Sequence, residues 1–540
     1  MNEDNGHYDV LTIGAGVAGI YQIKCLVDLG LKARLLEADE DLGGTWYRNR
    51  YPGARFDSES YTYGYSFSKE VLEEWHWKER FSSQPENLKY LNFVADKFDL
   101  RRHMQFNARV VSMVWSESER LWTLTLENGE SIRSRFVITG VGVLSVPTLP
   151  RIKGIDTFTG EAFHTYWWPQ EPVSLANKRV GIIGTGATGI QIIAEIADKV
   201  GELTVFQRRP NWSVPLKNSL ISDEEMSDIR SRYDEIFATC AISQGGFDHL
   251  PDRRGFYNLT KEARREFWDE LYDERPGFAL LIANFPETYL DDAANQELSE
   301  YVADRIRQRV KDKSVAEKLI PRDHGFGMQR LPLETKYFEA YNRDNVSLVD
   351  ITETPIEQIT ETGIQTANAH FDLDLIIYAT GFNAITGALD RIDIQGAAGL
   401  KLHEKWRDGP STYNGVLSHG FPNMIMVAGP QSVSGSTNYP RAIETGVEWV
   451  TALLKQAFDH GYTRIEAQAS AEAEWQAEVI QSQHRMPFRK SKSWFTGYNS
   501  NVDGHEAGQI RYQAYWGGAP RYRTFLKKSI TEAYSKIDMS

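Results

Sequence analysis

Two glycine-rich loops carry the clearest chemical signal in the sequence. The first, within YDVLTIGAGVAGIYQIKCLVDLG, places Gly14, Gly16 and Gly19 between an apolar stretch and a helical pattern. Glycines at this spacing let the backbone turn tightly and approach a pyrophosphate, and the following helix offers free N–H groups and a favourable dipole. The next predicted strand ends at Glu37, a carboxylate placed to accept hydrogen bonds from a ribose 2′-hydroxyl.

The same pattern recurs in KRVGIIGTGATGIQIIAEIADKVGELTVFQRRP, where the predicted nucleotide-binding residues of the loop are Gly184, Thr185, Gly186, Thr188 and Gly189. The position equivalent to Glu37 is here Gln207, and Arg208 and Arg209 follow it. A carboxylate would repel a 2′-phosphate, whereas arginine binds it through charge-assisted bonds. The first loop therefore predicts a site for FAD and the second a site for NADPH.

These loops need strands and helices in a fixed order to position them. Each lies between a strand and a helix, and two later apolar segments, Phe371–Phe382 and Phe421–Pro430, predict strands that return the chain to the nucleotide domains. We predict an α/β protein with two Rossmann-like domains: 1–145 and 385–540 for FAD, and 150–220 and 331–384 for NADPH. Residues 221–330 are charged, with apolar residues every three or four positions, and predict a helical insertion.

The composition narrows the classes of protein. A formal net charge of −14 argues against nucleic-acid and anionic-membrane partners, and no apolar run is long enough for a spanning helix. Only two cysteines, Cys25 and Cys240, are present, so a dithiol reductase and a thiolate metal site are both disfavoured, and no HExxH motif suggests a metal. The acidic N-terminus runs directly into a strand, so we expect no signal peptide and a cytoplasmic protein, monomeric or weakly homo-oligomeric.

Two longer patterns lie outside the glycine loops. FTGEAFHTYWWP follows the spacing FxGxxxHxxxW(P/D) with Phe158, Gly160, His164 and Trp168. GGTWYRNRYPGARFD follows a second pattern and ends at Asp57. With both signatures set among paired nucleotide motifs, the whole chain resembles the Baeyer–Villiger monooxygenases, class B flavoprotein enzymes that convert ketones to esters or lactones.

The resemblance implies an activity and residue roles. It implies NADPH- and O2-dependent insertion of oxygen beside a ketone carbonyl through a C4a-peroxyflavin, with Arg330 stabilising negative charge and Asp57 orienting Arg330. A fixed guanidinium beside a developing anion is sensible chemistry. Further residues that the resemblance places at the cofactors are Gly44, Thr45, Trp46, Tyr63, Val110 and Trp494.

The sequence departs from the family at two places. Gln329 stands where the family often has a lysine for the 2′-phosphate, and NSNVDGHEAGQ follows Trp494 in place of N-x-P-G-K. The 429–441 segment, GPQSVSGSTNYPR, aligns with a substrate-lining loop but identifies no particular ketone.

Alternative functions stay open at this point. One is an N- or S-oxygenating flavin monooxygenase, and another is a catalytically silent flavin- and NADPH-binding redox sensor. For FTGEAFHTYWWP, we expect an interdomain connector in which Gly160 supplies unusual backbone angles and His164 hydrogen-bonds between moving parts. The alternative is a rigid linker with a buried, satisfied histidine.

Overall fold

The structure is a computed structural model that describes residues 6–432, 436–505 and 508–540. Two sheets dominate it, and helices cover them. The first sheet centres on β1 (Tyr8–Ile13), which lies parallel between β2 (Ala33–Leu36) and β6 (Ser131–Thr139). Its described strands run in the order β17-β4-β5-β6-β1-β2-β3, with β18 beside β6. The other members are β3 (Met104–Gln105), β4 (Val110–Ser116), β5 (Leu121–Leu126), β17 (Asp393–Gln395) and β18 (Met424–Met426).

The second sheet has five described strands, all parallel, in the order β12-β9-β8-β16-β7. They are β7 (Glu161–His164), β8 (Arg179–Ile183), β9 (Glu202–Gln207), β12 (Val346–Asp350) and β16 (Leu375–Tyr378). The first sheet is mixed, because β4–β5 and β5–β6 are antiparallel, and the second is parallel; each carries one glycine loop, and together they confirm the predicted α/β fold class. The predicted domain boundaries stay predictions.

The strand predicted over Phe371–Phe382 is shorter in the structure. Phe371 belongs instead to a three-stranded antiparallel sheet, and Gly381, with φ +81°, turns the chain away after β16. That sheet contains β13 (Ile356–Thr360), β14 (Gly363–Thr366) and β15 (His370–Asp372). Two short pairs complete the described strands: β10 (Val214–Pro215) with β11 (Leu333–Glu334), and β19 (Ile465–Ala467) with β20 (Ile537–Met539).

Helices connect and cover these sheets. The described α-helices before the insertion are α1 (Val17–Asp28), α2 (Thr45–Arg48), α3 (Ser60–Tyr63), α4 (Lys69–Glu74), α5 (Gln84–Lys97) and α6 (Ala187–Ile196). Those that follow it are α14 (Tyr337–Ala340), α15 (Gly387–Asp390), α16 (Leu402–Lys405), α17 (Tyr439–His460), α18 (Ala469–His484) and α19 (Ala519–Thr531).

The 221–330 segment is helical, as its periodicity predicts. It contains α7 (Asp223–Ser231), α8 (Tyr233–Ile242), α9 (Lys261–Asp273), α10 (Ala279–Ile282), α11 (Glu287–Leu290), α12 (Asp292–Arg309) and α13 (Lys313–Lys318). Four of these helices begin at a side-chain cap that accepts a backbone N–H: Ser222, Thr260, Asp291 and Asp312. Each cap satisfies a donor that the first turn leaves open, and is typically worth about 1 kcal/mol.

The first glycine loop is anchored by packing on both sides of its helix. The β1 residues Val10 and Leu11 are fully buried, and Leu453 and Leu454 of α17 are buried in the same way. Burial of each such side chain contributes about 1.5–3 kcal/mol, so β1 and α1 form a rigid base for the loop between them. Within the described ranges, no helix combines the length and apolar character needed to cross a bilayer.

Candidate active site

The first glycine loop has the shape of a pyrophosphate cradle. Gly14 has φ +101°, and a Cβ there would lie 2.5 Å from the Gly140 carbonyl oxygen. A Cβ on Gly19 would lie 1.8 Å from the Gly14 carbonyl oxygen. Gly16 precedes the first residue of α1 and has no side chain to cap it, so the N–H groups of that turn face the loop. Gly14 and Gly19 are therefore required by close backbone packing, while at Gly16 a Cβ would meet only the Gly44 Cα, at 3.7 Å.

Glu37 is fixed beside this loop. Its carboxylate accepts the Ala15 N–H at 2.6 Å and the Asp39 N–H at 2.9 Å, and it is 6% exposed. Burial raises the pKa of Glu37, while the two backbone donors act in the opposite direction. The Glu37 carboxylate lies where we expect the adenosine ribose to bind.

The GGTW segment closes over the same loop. Gly44 has φ +52°, and a Cβ there would lie 2.9 Å from the Gly16 Cα. Exposed Thr45 begins α2, and the Trp46 indole Nε1 donates to the Tyr63 hydroxyl at 3.1 Å. Of the predicted FAD residues, Gly44 thus contacts the first glycine loop, and Trp46 and Tyr63 contact each other.

Val110 lies near Glu37 in the structure. It begins β4 and is buried. Two residues earlier, the Ala108 N–H donates to the Glu37 carbonyl at 2.7 Å. Contact of Val110 with the adenine stays a prediction.

The second glycine loop repeats the geometry of the first. Gly184 has φ +108°, with a Cβ position 2.5 Å from the Ala379 carbonyl oxygen, and a Cβ on Gly189 would lie 2.3 Å from the Gly184 carbonyl oxygen. Gly186, before α6, opens to free space. The Thr185 hydroxyl donates to the Arg209 carbonyl at 2.9 Å. Thr188 lies half-buried in the first turn of α6.

The basic pair after β9 faces the C-terminal segment. Arg208 Nη1 donates to the Ser500 hydroxyl at 2.6 Å, and Arg209 Nη1 donates to the Lys492 carbonyl at 2.9 Å with its guanidinium 5.6 Å from the Tyr498 ring centre. Gln207 points inward, is 1% exposed, and donates to the Lys318 carbonyl at 2.7 Å. The two arginines, and not Gln207, are therefore the groups available to a 2′-phosphate.

The segments that depart from the family contact this region. Trp494 is half-buried and packs on Phe495, with ring centres 4.8 Å apart, and half-buried Gln329 directly precedes Arg330. In NSNVDGHEAGQ, Asn499 Nδ2 donates to the Phe382 carbonyl at 2.7 Å, which ties this segment to the end of β16. Residues 506 and 507 of this segment, and 433–435 of the predicted substrate loop, lie outside the described residues.

Arg330 and Asp57 meet although 273 residues separate them. Arg330 Nη2 donates to both Asp57 carboxylate oxygens, at 2.7 and 2.8 Å, and the side chains are 24% and 20% exposed. The guanidinium carbon lies 5.0 Å from the Phe278 ring centre, and the Asn211 amide donates to the Arg330 carbonyl at 3.0 Å. Burial raises the pKa of Asp57, and the charge of Arg330 opposes that rise. The arrangement presents an oriented positive charge in a partly dry site.

The FTGEAFHTYWWP stretch is more than a connector, because Glu161–His164 forms β7 at the edge of the second sheet. Gly160 does not have a positive φ, so the expected role of unusual backbone angles is wrong. Glycine is needed because a Cβ would lie 2.6 Å from the Phe158 ring and 2.8 Å from the Asp374 carbonyl oxygen. Half-buried Phe158 packs beneath this sheet, and buried Trp168 lies 5.8 Å from the Phe163 ring.

His164 is buried and bonded on both nitrogens. Nδ1 accepts the Tyr166 N–H at 3.1 Å, which leaves Nε2 to donate to the Gly381 carbonyl at 3.1 Å. Burial lowers the pKa of His164 to about 4, so the imidazole is neutral at physiological pH. Its partners all belong to the second sheet and its loops, so contact with the first sheet comes from neighbouring residues.

Those neighbouring contacts were not predicted from the sequence. The Gln170 amide donates to Glu40 and, at 3.2 Å, to the Tyr47 hydroxyl, and the Arg48 guanidinium lies 5.5 Å from the Tyr166 ring centre. All three partners belong to the first nucleotide unit. Their only sequence signal is position, because they lie within or directly beside the two signatures.

A second unpredicted contact joins the units at α6. The Tyr51 hydroxyl donates to the Gln191 side chain at 2.9 Å, and the Gln191 amide donates to the Arg55 carbonyl at 3.0 Å. Gly53 has φ +82°, and a Cβ there would lie 2.8 Å from the Gln191 carbonyl oxygen. The YPGAR part of the second signature therefore lies directly against the helix of the second glycine loop.

Two sheets that each carry a dinucleotide-type glycine loop are typical of flavoprotein monooxygenases, and comparison with known proteins identifies the family. Residues 8–222 match the flavin-binding monooxygenase-like (FMO-like) family model. The chain belongs to the Baeyer–Villiger monooxygenases, which confirms the family predicted from the sequence.

Among its relatives, the chain is 44% identical over 538 residues to 2-oxo-Δ3-4,5,5-trimethylcyclopentenylacetyl-CoA monooxygenase of Pseudomonas putida, covering 98% of both chains. It is 39% identical over 535 residues to acetone monooxygenase (methyl acetate-forming) of Gordonia sp. strain TY-5, covering 98% of this chain and 99% of that one.

Among solved structures, the crystal structure of OTEMO in complex with FAD and NADP has a TM-score of 0.94 and 43% identity. The match covers 99% of this chain and 100% of that chain. The presence of FAD and NADP in that structure agrees with the two cofactors predicted from the sequence.

Proposed function

We propose that this protein is an FAD-dependent Baeyer–Villiger monooxygenase that uses NADPH and O2 to insert one oxygen atom beside a ketone carbonyl, giving an ester or lactone. The observation that carries this proposal is the Arg330–Asp57 pair, held in a partly buried site by two hydrogen bonds of 2.7 and 2.8 Å. The ester-forming reaction printed in the name of the Gordonia relative supports the same chemistry.

The residues at the first glycine loop fit FAD. Gly14, Gly19 and Gly44 allow the close backbone packing that shapes the loop, and the start of α1 supplies N–H donors for a pyrophosphate. Glu37 would accept the ribose 2′-hydroxyl, and Trp46 and Tyr63 would face the flavin end. When bound and reduced, FAD supplies the electrons that activate O2.

The residues at the second loop fit NADPH. Gly184 and Gly189 leave the same cradle, and Arg208 and Arg209 supply the positive charge that a 2′-phosphate requires. Because the Arg208 and Arg209 guanidinium groups also contact residues 492–500, nucleotide binding and the position of that segment are linked. Arg209 compensates for the uncharged Gln329 in this proposal.

Arg330 and Asp57 perform the polar part of the reaction. Arg330 provides a fixed positive charge where negative charge develops on the oxygen being transferred, so that the oxygen stays nucleophilic toward the carbonyl carbon. Asp57 holds the guanidinium in one orientation and takes no proton from the substrate. Phe278 covers one side of the guanidinium and limits water there.

The test is ester formation from a panel of cyclic, aromatic and linear ketones with NADPH and O2, followed by gas chromatography. An ester or lactone product supports the proposal. Oxygenation of amines or sulfides without any ester would favour the N- or S-oxygenating alternative. NADPH oxidation with no transfer of oxygen to any substrate would favour a redox sensor. Sulfoxide formation does not distinguish the two oxygenase functions unless ester formation from ketones has also been measured.

Two finer expectations belong to this proposal. We infer a small-molecule ketone of unspecified size as the substrate, no nucleic-acid or membrane partner, and a cytoplasmic monomer or weak homo-oligomer. The net charge of −14 and the low cysteine content support these expectations. Light scattering at several protein concentrations tests the oligomeric state, and cell fractionation tests the compartment.

A further inference from the structure

A buried ion pair joins the helical insertion to the loop segment that carries Asp57. Glu59, two residues after Asp57, is 2% exposed, and its Oε1 lies 2.8 Å from Nε2 of His249, which is 7% exposed. His249 lies in the insertion, between α8 and α9. The other two polar atoms, Glu59 Oε2 and His249 Nδ1, make no hydrogen bond within the described part of the chain. The contact therefore depends on one charged bond.

The same contact reaches the residues beneath Arg330. A Cβ on Gly277 would lie 2.7 Å from Glu59 Oε1, so the Glu59 carboxylate rests against the backbone that leads into Phe278. Phe278 is 1% exposed and faces the Arg330 guanidinium at 5.0 Å.

From the other side, Phe247, two residues before His249, packs on Phe278 with ring centres 5.1 Å apart. The contacts form a closed ring: Asp57 to Arg330, Phe278 and Phe247, then His249 and Glu59, and back along the chain to Asp57.

Stability alone does not account for an ion pair in this place. Removing two charges from water costs about as much as the pair returns, and apolar replacements of similar size are often neutral or stabilising. A buried pair can instead contribute specificity, because any alternative packing of the neighbouring groups that separates the two charges would leave a buried charge unpaired. Here the groups whose arrangement it fixes are the aromatic side chains under the Arg330 guanidinium.

We propose that Glu59 and His249 are positioning residues for Arg330, and that the charged pair holds Phe278 and Phe247 against the guanidinium while His249 is protonated. The activity part of this inference rests on the proposed function. Neither residue touches the reacting atoms. Their effect passes through the position of the Arg330 guanidinium, where a displacement of about 1 Å can cost about 100-fold in rate.

The charge states define a pH window. Burial opposes the charge on His249, but Glu59 raises its pKa above 6.5, and His249 lowers the pKa of Glu59 below 4.5 against the same burial. Stability from the His249 charge is complete below pH 6.5 and is lost as pH rises through the raised pKa. Other titratable or charged groups acting on these two residues and on Asp248 are Asp57, Tyr61, Arg80, Arg232, Glu235, Cys240 and Arg275.

Asp248 adds a second titration nearby. Burial, and then the negative charge of Glu59, raises the pKa of Asp248 to about 6. Asp248 therefore titrates on the acid side of the pH range in which the His249 charge contributes to stability. The Asp248→Asn variant separates the effect of Asp248 from that of His249. In that variant the alkaline loss caused by His249 should persist.

The test compares His249→Gln with wild type, in thermal unfolding from pH 5 to 9 and in coupling of NADPH oxidation to product. His76→Gln is the matched control, because His76 pairs with Asp223 of the insertion at 3.4 Å but in an exposed position. We expect the difference in unfolding temperature between wild type and His249→Gln to be largest below pH 6.5 and to shrink as pH rises. His76→Gln should follow wild type.

In the activity arm, His249→Gln should keep its FAD content and its KM for NADPH, while the share of NADPH that ends as hydrogen peroxide rises by about a factor of ten. If the single variant does not fold, Glu59→Gln/His249→Gln, which removes both charges, is measured in its place. In wild type the peroxide share should rise at alkaline pH, and in the variants this pH-dependent rise should be smaller.

Two results would overturn the inference. One is an unfolding difference that does not depend on pH. The other is a loss of stability with wild-type coupling, which would make the pair purely structural. A wild-type enzyme that forms no ester from any ketone would refute the proposed function instead. The pH dependence of unfolding and the release of hydrogen peroxide would then still test the role of the ion pair.

Discussion

Replacing Arg330 with alanine should abolish most ester formation while leaving nucleotide binding intact. The guanidinium is oriented by two bonds to Asp57 and by the Phe278 ring, and the glycine-loop contacts described above are made by other groups. The fold should tolerate the change because burial already raises the pKa of Asp57. Without the arginine, this carboxyl can take up a proton rather than remain a buried, unpaired charge.

The magnitude follows from the charge and its surroundings. A positive charge about 4 Å from a developing negative oxygen is worth about 4 kcal/mol at an effective dielectric constant near 20. The side chains of Arg330 and Asp57 are 24% and 20% exposed, which suits that intermediate value better than a dry interior. At 1.36 kcal/mol for each factor of ten, we expect ester formation to fall by about 1,000-fold in Arg330→Ala.

The assay measures ester by gas chromatography and hydrogen peroxide by a coupled peroxidase, with NADPH oxidation followed in parallel. Arg330→Lys should recover part of the activity, because lysine keeps a charge but not the planar guanidinium. Arg322→Ala serves as control, since Arg322 lies in the same segment, is 58% exposed and pairs with Glu317. Wild-type ester yield and peroxide release in Arg330→Ala would refute the assigned role.

Three further changes test the other assignments. Asp57→Ala should reduce ester formation less than Arg330→Ala does, by about 1.5–3 kcal/mol for one charged hydrogen-bonded contact. Its FAD content should be unchanged, and a loss equal to or larger than that of Arg330→Ala would contradict an indirect role. Arg208→Ala should raise the KM for NADPH by a factor equivalent to a similar free energy and leave the KM for NADH unchanged. In wild type, equal kcat/KM values for NADPH and NADH would contradict the NADPH assignment. His164→Ala should keep its fold and FAD but release more hydrogen peroxide per NADPH, and unchanged coupling would leave only a structural histidine.

The glycine loops could be predicted because their signal is local. Gly14 and Gly19 approach each other within one turn, and the spacing of the residues alone determines that approach. Arg330 and Asp57 are different, because they lie 273 residues apart and no spacing rule joins them. Their pairing was expected only from resemblance to a family.

Contacts that join the first nucleotide unit to the second unit and to the insertion could not be predicted in the same way. Tyr51 meets Gln191 across 140 positions, and Glu59 meets His249 across 190. Neither pair belongs to a periodic pattern, since each depends on how α6 and the insertion pack against the first unit. Gly160 shows a related limit, because its need for glycine comes from the distant Asp374 carbonyl and not from its own backbone angles.

The two signatures then have related physical roles, although their sequences differ. YPGAR places Tyr51 and Gly53 against α6, the helix that begins at the second glycine loop. FTGEAFHTYWWP forms the edge strand of the second sheet, and its last residues lead to Gln170, which bonds to Glu40 and Tyr47 of the first unit. Each signature thus holds one nucleotide unit against the other at a separate point.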